Sequence, residues 1–161
     1  MRKDISISPV KANFYALIAV LPFILVLVGL YINVWKGRNF LSDFFGLEPK
    51  YFSIFMLAIF VEVIIHELIH GLTWQLFGQK KLNAIRYGID KKTMSPYAHC
   101  KEPMEAKAYK LGIAMPGIIL GFFPAVIGII IGNAVIFVFG LFGVLAASVD
   151  ILTLWVLRKV R

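Results

Sequence analysis

Apolar residues fall into four long runs that are separated by shorter polar segments. A helix needs about 20 consecutive apolar residues to cross the hydrocarbon core of a bilayer, and each run reaches that length. The pattern therefore predicts four membrane-spanning helices. Their approximate bounds are residues 12–34, 51–77, 111–131 and 134–157.

The segment between the second and third runs is the one sizeable polar region. Its residues 84–89 alternate between apolar and polar, and Asp90-Lys91-Lys92 offers a turn before residues 93–97, which predicts a short β-hairpin. Only Gly132-Asn133 separates the third run from the fourth, so these two helices should form a tight antiparallel pair. The expected fold class is an all-α membrane protein. It is a four-transmembrane-helix bundle with a short β-hairpin in one loop, and residues 1–161 form a single domain.

Charge predicts the orientation of this bundle. The chain is 60% apolar and carries 17 Lys and Arg against 9 Asp and Glu, a net charge of +8. All but three of the basic residues lie in the two tails and the hairpin loop, which four spans place on one side. The positive-inside rule makes that side cytoplasmic. We expect a multi-pass protein of the cell membrane with both termini cytoplasmic. No nucleic-acid-binding motif accompanies the positive charge, so we expect no nucleic-acid partner.

The second run contains the sequence His66-Glu67-Leu68-Ile69-His70. On a helix, residues four apart share one face, so the two imidazoles can bind one Zn²⁺ while Glu67 acts as general base on the zinc-bound water. An ionisable side chain inside a span costs about 2.5–3.5 kcal/mol, which favours a functional role for the motif. The alternative is a polar cluster that joins helices through hydrogen bonds.

A catalytic zinc usually has three protein ligands, and Asp150 is the strongest candidate for the third. It is the only charged residue in the fourth run. At 1.5 Å per residue, His66 lies about 22 Å along its helix from Tyr51, and Asp150 lies about 26 Å from Asn133. The two residues should therefore lie at similar depth. The alternatives for Asp150 are a helix-packing polar residue and a proton-carrying acid.

Two further residues could contribute to this site. Glu62 precedes His66 by one helical turn, so it either accepts the free ring N–H of His66 or is itself a ligand; we favour the first role. His99 follows the predicted hairpin. It is an oxyanion-stabilising residue, a fourth ligand, or a surface histidine.

The His66–His70 motif in an apolar run, an aspartate near the end of a later run and a polar hairpin between them resemble the site-2 protease class of intramembrane metallopeptidases. The chain is more closely similar to a family of small bacterial membrane proteins described as zincin peptidases, with weaker matches at Pro96–Cys100 and Met115–Gly117. This resemblance implies Zn²⁺ as the metal, Glu67 as the catalytic residue and three ligands, His66, His70 and Asp150.

The expected function is zinc-dependent intramembrane proteolysis, in which a peptide bond in or near the membrane segment of a membrane protein or peptide is hydrolysed. The hairpin at 84–99 offers a strand edge that could hold this substrate extended. Two other classes of function fit the same residues. One is a non-enzymatic membrane binding or immunity protein with a structural metal site. The other is a small proton or cation transporter that uses Asp150, Glu62 and His66.

Overall fold

The structure, a computed structural model, describes residues 9–36, 40–91 and 95–159, with side chains from residue 13 onward. These residues form helices and one antiparallel pair of strands. The helices are α1 (Pro9–Val34), α2 (Phe40–Phe45), α3 (Pro49–Phe77), α4 (Ala106–Pro116), α5 (Phe123–Ile131), α6 (Ala134–Ala146) and α7 (Ser148–Val156), and the strands are β1 (Ile85–Asp90) and β2 (Ser95–Cys100). The mostly helical class and the hairpin are thus confirmed.

Three helices among the described residues are long and apolar enough to cross a membrane, at Asn13–Val34, Pro49–Phe77 and Ala106–Ile131. A fourth candidate span consists of two helices, Ala134–Ala146 and Ser148–Lys159, that meet at an angle of 45°. The described part of the chain therefore holds three candidate spans, or four if the bent pair counts as one.

The fourth predicted span differs from the expectation of one helix over 134–157. It breaks at Ala147, whose backbone (φ −76°, ψ 9°) leaves helical geometry. Ala147 is buried, and the backbone of Gly117 packs closely against its methyl group. The close approach of these two small residues accompanies the break. Beyond it, α7 packs against α1 and α4, with Asp150 in its first turn.

The third predicted span begins at Ala106, five residues earlier than expected, and contains a π-helical turn at Gly117–Phe122 between α4 and α5. Pro116, which lacks a backbone N–H, immediately precedes this turn. The connection to α6 is as short as predicted. Gly132 adopts a left-handed conformation (φ 68°), and the Asn133 side chain accepts a hydrogen bond from the backbone N–H of Ile136 (3.0 Å).

The core contains an aromatic cluster that joins α1, α2 and α6. The rings of Tyr31 and Phe137 stack with centroids 4.5 Å apart, and Phe40 lies edge-on to both, at 5.4 and 5.1 Å. Tyr31 and Phe137 are fully buried. The short helix α2, which the hydrophobic pattern did not predict, buries Phe40 and Phe44 against this core.

The hairpin lies beside α3, which it contacts through β2 and through side chains of β1 at Gly71. Its register pairs Ile85 with Cys100 and Asp90 with Ser95, so β1 lies one residue later than predicted and β2 extends three residues beyond the predicted end. Residues 92–94 of the predicted turn and second strand lie outside the described part of the chain. The backbone N–H of Lys101 donates to the Ala84 carbonyl at 2.8 Å.

The hydrogen bond between Lys101 and Ala84 indicates which backbone groups of β2 point away from β1. Hydrogen-bonded and non-hydrogen-bonded pairs alternate along an antiparallel ladder, so Tyr87 and Ala98 form a non-hydrogen-bonded pair. Pro96, which has no N–H, occupies another non-hydrogen-bonded position. The N–H and C=O of Ala98 therefore point away from β1, along the outer edge of β2.

Candidate metal centre

Helix α3 presents the two histidines of the motif on one face, and α7 brings Asp150 to them. His66 Nε2 lies 2.9 Å from Asp150 Oδ2, and His70 Nε2 lies 3.5 Å from the same oxygen. Both histidines are buried. Two ring nitrogens and one carboxylate oxygen therefore converge on one point between α3 and α7, although 84 residues separate His66 from Asp150.

The convergent atoms fit a zinc ion. Ligand atoms 2.0–2.1 Å from a tetrahedral zinc are about 3.3–3.4 Å apart, and the two nitrogen–oxygen distances, 2.9 and 3.5 Å, bracket that separation. Ligand atoms of His66, Glu67 and His70 also lie within 4.8 Å of one another. Two imidazoles and a carboxylate form a donor set typical of catalytic zinc, so this set leaves Glu67 available for acid–base chemistry.

The ring of His70 is oriented by the backbone of α4. Its Nδ1 lies 2.8 Å from the carbonyl oxygen of Gly112, and a carbonyl only accepts, so Nδ1 carries the proton and Nε2 keeps its lone pair for a metal. The His70 ring also stacks on the indole of Trp74, with centroids 5.6 Å apart and planes 16° apart.

Glu62 lies on the same side of α3 as His66, as expected, and is buried (3% exposed). Its Oε1 and the Nδ1 of His66 each lack a hydrogen-bond partner among the described residues. The structure thus places Glu62 one turn from His66 without the hydrogen bond that we expected. Its role beside His66 stays a prediction.

Glu67 faces the hairpin. The backbone of Ala98 hydrogen-bonds its carboxylate, which agrees with the outward direction of the Ala98 N–H. On the same side, the hydroxyl of Tyr87 lies against Gly71 at a point that a Cβ atom would occupy. Burial, and then the charge of Glu67, raise the pKa of Tyr87. The Tyr87 phenol therefore stays protonated and neutral around physiological pH.

His99 is exposed on β2, in register with Arg86, and does not line the cavity at the cluster. Its neighbour Cys100 is buried, and the Cys100 sulfur lies 3.4 Å from the Glu102 carbonyl oxygen. The structure therefore brings His66, Glu67, His70 and Asp150 together and leaves the His99 side chain apart from them.

A cavity of about 540 Å³ opens onto the cluster. Sequence reasoning missed several of the residues that line it. They come from α1, α3, α4 and α7 and include Asn13, Trp74, Tyr109 and Thr153. Polar side chains at these helix positions, near the ends of apolar runs, were the available signal. No motif connects these positions to the histidines, so the sequence alone does not identify them as part of the site.

A second, almost wholly apolar groove of about 660 Å³ reaches Asp150 from another direction, between α1 and the helices α4 and α5. Its wall includes Phe23, Val26 and Leu30 of α1, which are about half exposed or more. The groove therefore opens onto the apolar exterior of the protein. Asp150 and Ile113 line both the groove and the polar cavity.

Comparison with curated proteins and with solved structures gives no significant match. A family model does match, and it covers residues 59–161, which include the His66–His70 motif, the hairpin and Asp150. This is more than half of the chain. The chain therefore belongs to the family described as "Putative zincin peptidase".

Proposed function

We propose that this protein is a zinc-dependent intramembrane peptidase. Family membership and the His-Glu-His group support a zinc metallopeptidase. The observation that carries the finer proposal is the contact of Asp150 with both histidines of the motif, because it completes a set of three ligands. The two histidines lie in a helix that is long and apolar enough to span a membrane, and Asp150 lies in the second helix of the bent pair that could form a further span.

The residues around the cluster divide the chemistry between them. Zinc held by His66, His70 and Asp150 would supply an acidified water and a Lewis acid for the peptide carbonyl. Glu67 takes the proton from the attacking water and then delivers it to the leaving amine. The Ala98 backbone holds the Glu67 carboxylate toward the cavity.

The hairpin provides a binding edge for an extended substrate. Residues 95–98 of β2 line the cavity, and backbone groups of its outer edge point away from β1. The Ala98 N–H is bound to Glu67 and Pro96 has no N–H, so a substrate segment that adds to this edge would donate its main-chain N–H groups to the outward carbonyls of Pro96 and Ala98. We therefore expect recognition of an unwound, extended segment at the polar cavity.

The apolar groove supports a membrane-embedded substrate. It is lined by Asp150 and by exposed apolar residues of α1. An apolar stretch of the substrate would occupy the groove while the adjoining polar residues enter the cavity. The bond that is cut would then lie close to the boundary between the two.

Substitution of Glu67 by Gln tests the mechanism. Purified protein in liposomes is incubated with a pool of synthetic single-span membrane peptides, and the products are identified by mass spectrometry. We expect zinc-dependent cleavage by the wild type, and retained zinc with no cleavage for Glu67→Gln. The control is Glu48→Gln, at the exposed start of α3, which should cleave as the wild type does.

Three results would contradict the proposal. Cleavage by Glu67→Gln at the wild-type rate would remove Glu67 from the mechanism. Bound zinc without any cleavage by the wild type would favour a binding protein with a structural metal. Less than about 0.1 zinc per chain after purification without chelators would exclude a tight zinc site altogether.

A further inference from the structure

Peptide hydrolysis places negative charge on the carbonyl oxygen of the substrate, and a preorganised hydrogen-bond donor aimed at that oxygen is worth about 10²–10³ in rate. Glu67 supplies the base, but as a carboxylate it supplies no such donor. Beside zinc, which would polarise the carbonyl, such a donor would come from another residue that lines the cavity at the cluster. Apart from the histidines, the lining side chains with an N–H or O–H group are Asn13, Trp74, Ser95, Tyr97, Tyr109 and Thr153.

Three of these donors are directed elsewhere. The indole N–H of Trp74 donates to the Tyr109 carbonyl at 3.2 Å, and the Thr153 hydroxyl donates to the Val149 carbonyl at 2.8 Å. The hydroxyl of Tyr97 lies over Gly88 of β1, where a Cβ atom would meet it at 2.7 Å. The side chains of Tyr109, Asn13 and Ser95 remain.

Tyr109 is held in a fixed relation to the metal ligands. Its ring stacks on Trp74 with centroids 5.6 Å apart and planes 4° apart, and Trp74 stacks in turn on His70. A stack of three aromatic rings therefore connects His70 to Tyr109. The Tyr109 side chain is half-buried, which limits the number of its conformers. By contrast, Asn13 and Ser95 are exposed, the first near the start of α1 and the second at the start of β2.

Tyr109 and Glu67 both lie near the candidate ligand Asp150. The phenol of Tyr109 and the carboxylate of Glu67 are each within electrostatic range of Asp150, and both residues line the cavity at the cluster. Carbonyl addition requires a base for the attacking water and a donor for the charge that develops on the oxygen, and these two residues offer both at one site.

We infer that Tyr109 is a catalytic residue whose hydroxyl donates a hydrogen bond to the substrate's carbonyl oxygen as that oxygen becomes negative. The phenol keeps its proton throughout, so no bond to Tyr109 forms or breaks. Trp74 is a positioning residue that acts through Tyr109 and His70. This inference rests on the proposed function, because it needs a metal and a peptide carbonyl at the same site.

The test measures how the loaded site binds two simple anions. Protein in detergent is loaded with Co²⁺, whose visible absorption reports on its ligands, and is titrated with inorganic phosphate or with azide. Phosphate presents a tetrahedral set of oxygens that a donor near the metal can contact, and azide presents none. For Tyr109→Phe, which keeps the stacked ring, we expect phosphate to bind about 10- to 100-fold more weakly and azide to bind as in the wild type.

Tyr51→Phe is the matched control, because Tyr51 is exposed at the start of α3 and lies outside the cavity at the cluster, and it should bind both anions normally. Equal phosphate affinity in Tyr109→Phe and wild type would overturn the inference, and a loss in Asn13→Ala would transfer the role to Asn13. Weaker binding of both anions by Tyr109→Phe would reveal a structural role only, which also overturns it. Failure of the wild type to bind Co²⁺ would instead contradict the proposed function.

Discussion

His70 Nδ1 lies 2.8 Å from the carbonyl oxygen of Gly112, a residue 42 positions away on a different helix. One candidate ligand is thus oriented by the backbone of α4 and not by a carboxylate side chain. The same glycine gives the Trp74 indole room beside α4, because a Cβ atom on Gly112 would overlap the indole ring. The geometry of the metal site therefore depends on how closely α4 approaches α3.

Substitution of Gly112 by Ala should weaken zinc binding. The added methyl group forces either Trp74 or α4 to move, which disturbs the hydrogen bond to His70. Loss of such a supporting hydrogen bond costs about 10–100-fold in metal affinity, measurable by competition with a zinc-binding dye. The control is Gly29→Ala, where an added Cβ meets no atom within 4 Å. Unchanged zinc affinity in Gly112→Ala would show that His70 does not depend on this contact.

Substitution of Asp150 by Asn should remove most of the zinc affinity. Only the two histidines would remain as ligands, so the loss should exceed the about 10–100-fold effect of removing a supporting hydrogen bond. A ligand that binds only the folded state raises the melting temperature. Zinc should therefore raise the Tm of the wild type in detergent and leave that of Asp150→Asn unchanged.

Asp43→Asn in α2 provides a matched control for Asp150→Asn, because Asp43 is exposed and lies outside the cavity at the cluster. It should respond to zinc as the wild type does. If Asp150→Asn bound zinc with wild-type affinity, Asp150 would instead be a packing residue or a proton-carrying acid.

Local patterns in the sequence were sufficient to predict the three long apolar helices, the hairpin and the neighbourhood of His66 and Asp150. Long apolar runs predict spans because the bilayer admits few other structures. The proximity of His66 and Asp150 was predictable because the two residues lie at similar depths along separate predicted helices. The break at Ala147 was not predictable in this way. It accompanies contact with Gly117 from another helix, and no residue of the run 134–157 signals that contact.

The supporting residues of the site were not predictable for a related reason. The partner of His70 is a backbone carbonyl, which every residue possesses, so nothing in the sequence distinguishes Gly112 as that partner. The expected partner of His66, Glu62, followed from helical spacing alone. Helical spacing predicts that two residues share one face of a helix, but it does not predict a hydrogen bond between them. In the structure Glu62 and His66 share a face and are not joined by a hydrogen bond.

Substitution of Gly71 by Ala should displace the hairpin from α3. A Cβ atom at Gly71 would overlap the hydroxyl and ring of Tyr87 and crowd Ile85, and overpacking of this kind costs about 1–3 kcal/mol. We expect faster hydrogen exchange of the β1 and β2 amides and slower peptide cleavage, with zinc affinity preserved because the ligands lie on α3 and α7.

The double variant Gly71→Ala/Tyr87→Ala provides the control for this overlap. Removal of the Tyr87 ring should restore part of the hairpin's protection, so the two changes should be non-additive. Strictly additive effects would mean that overlap with Tyr87 is not what displaces the hairpin in Gly71→Ala.

Substitution of Val26 by Trp should separate membrane substrates from soluble ones. Val26 lies on α1 and lines the apolar groove that ends at Asp150, so an indole there would fill part of the groove and leave the polar cavity open. If the apolar part of the substrate occupies the groove, Val26→Trp should slow cleavage of a single-span peptide in liposomes. A soluble peptide that contains only the residues around the cleaved bond enters through the polar cavity, so its cleavage should be unaffected.

Val34→Trp is the matched control for Val26→Trp, since Val34 is exposed on the same helix but lies outside the groove. Equal slowing of both substrates by Val26→Trp would mean that the substitution distorts the metal site, and no effect on either would mean that the substrate reaches Asp150 by a route other than this groove.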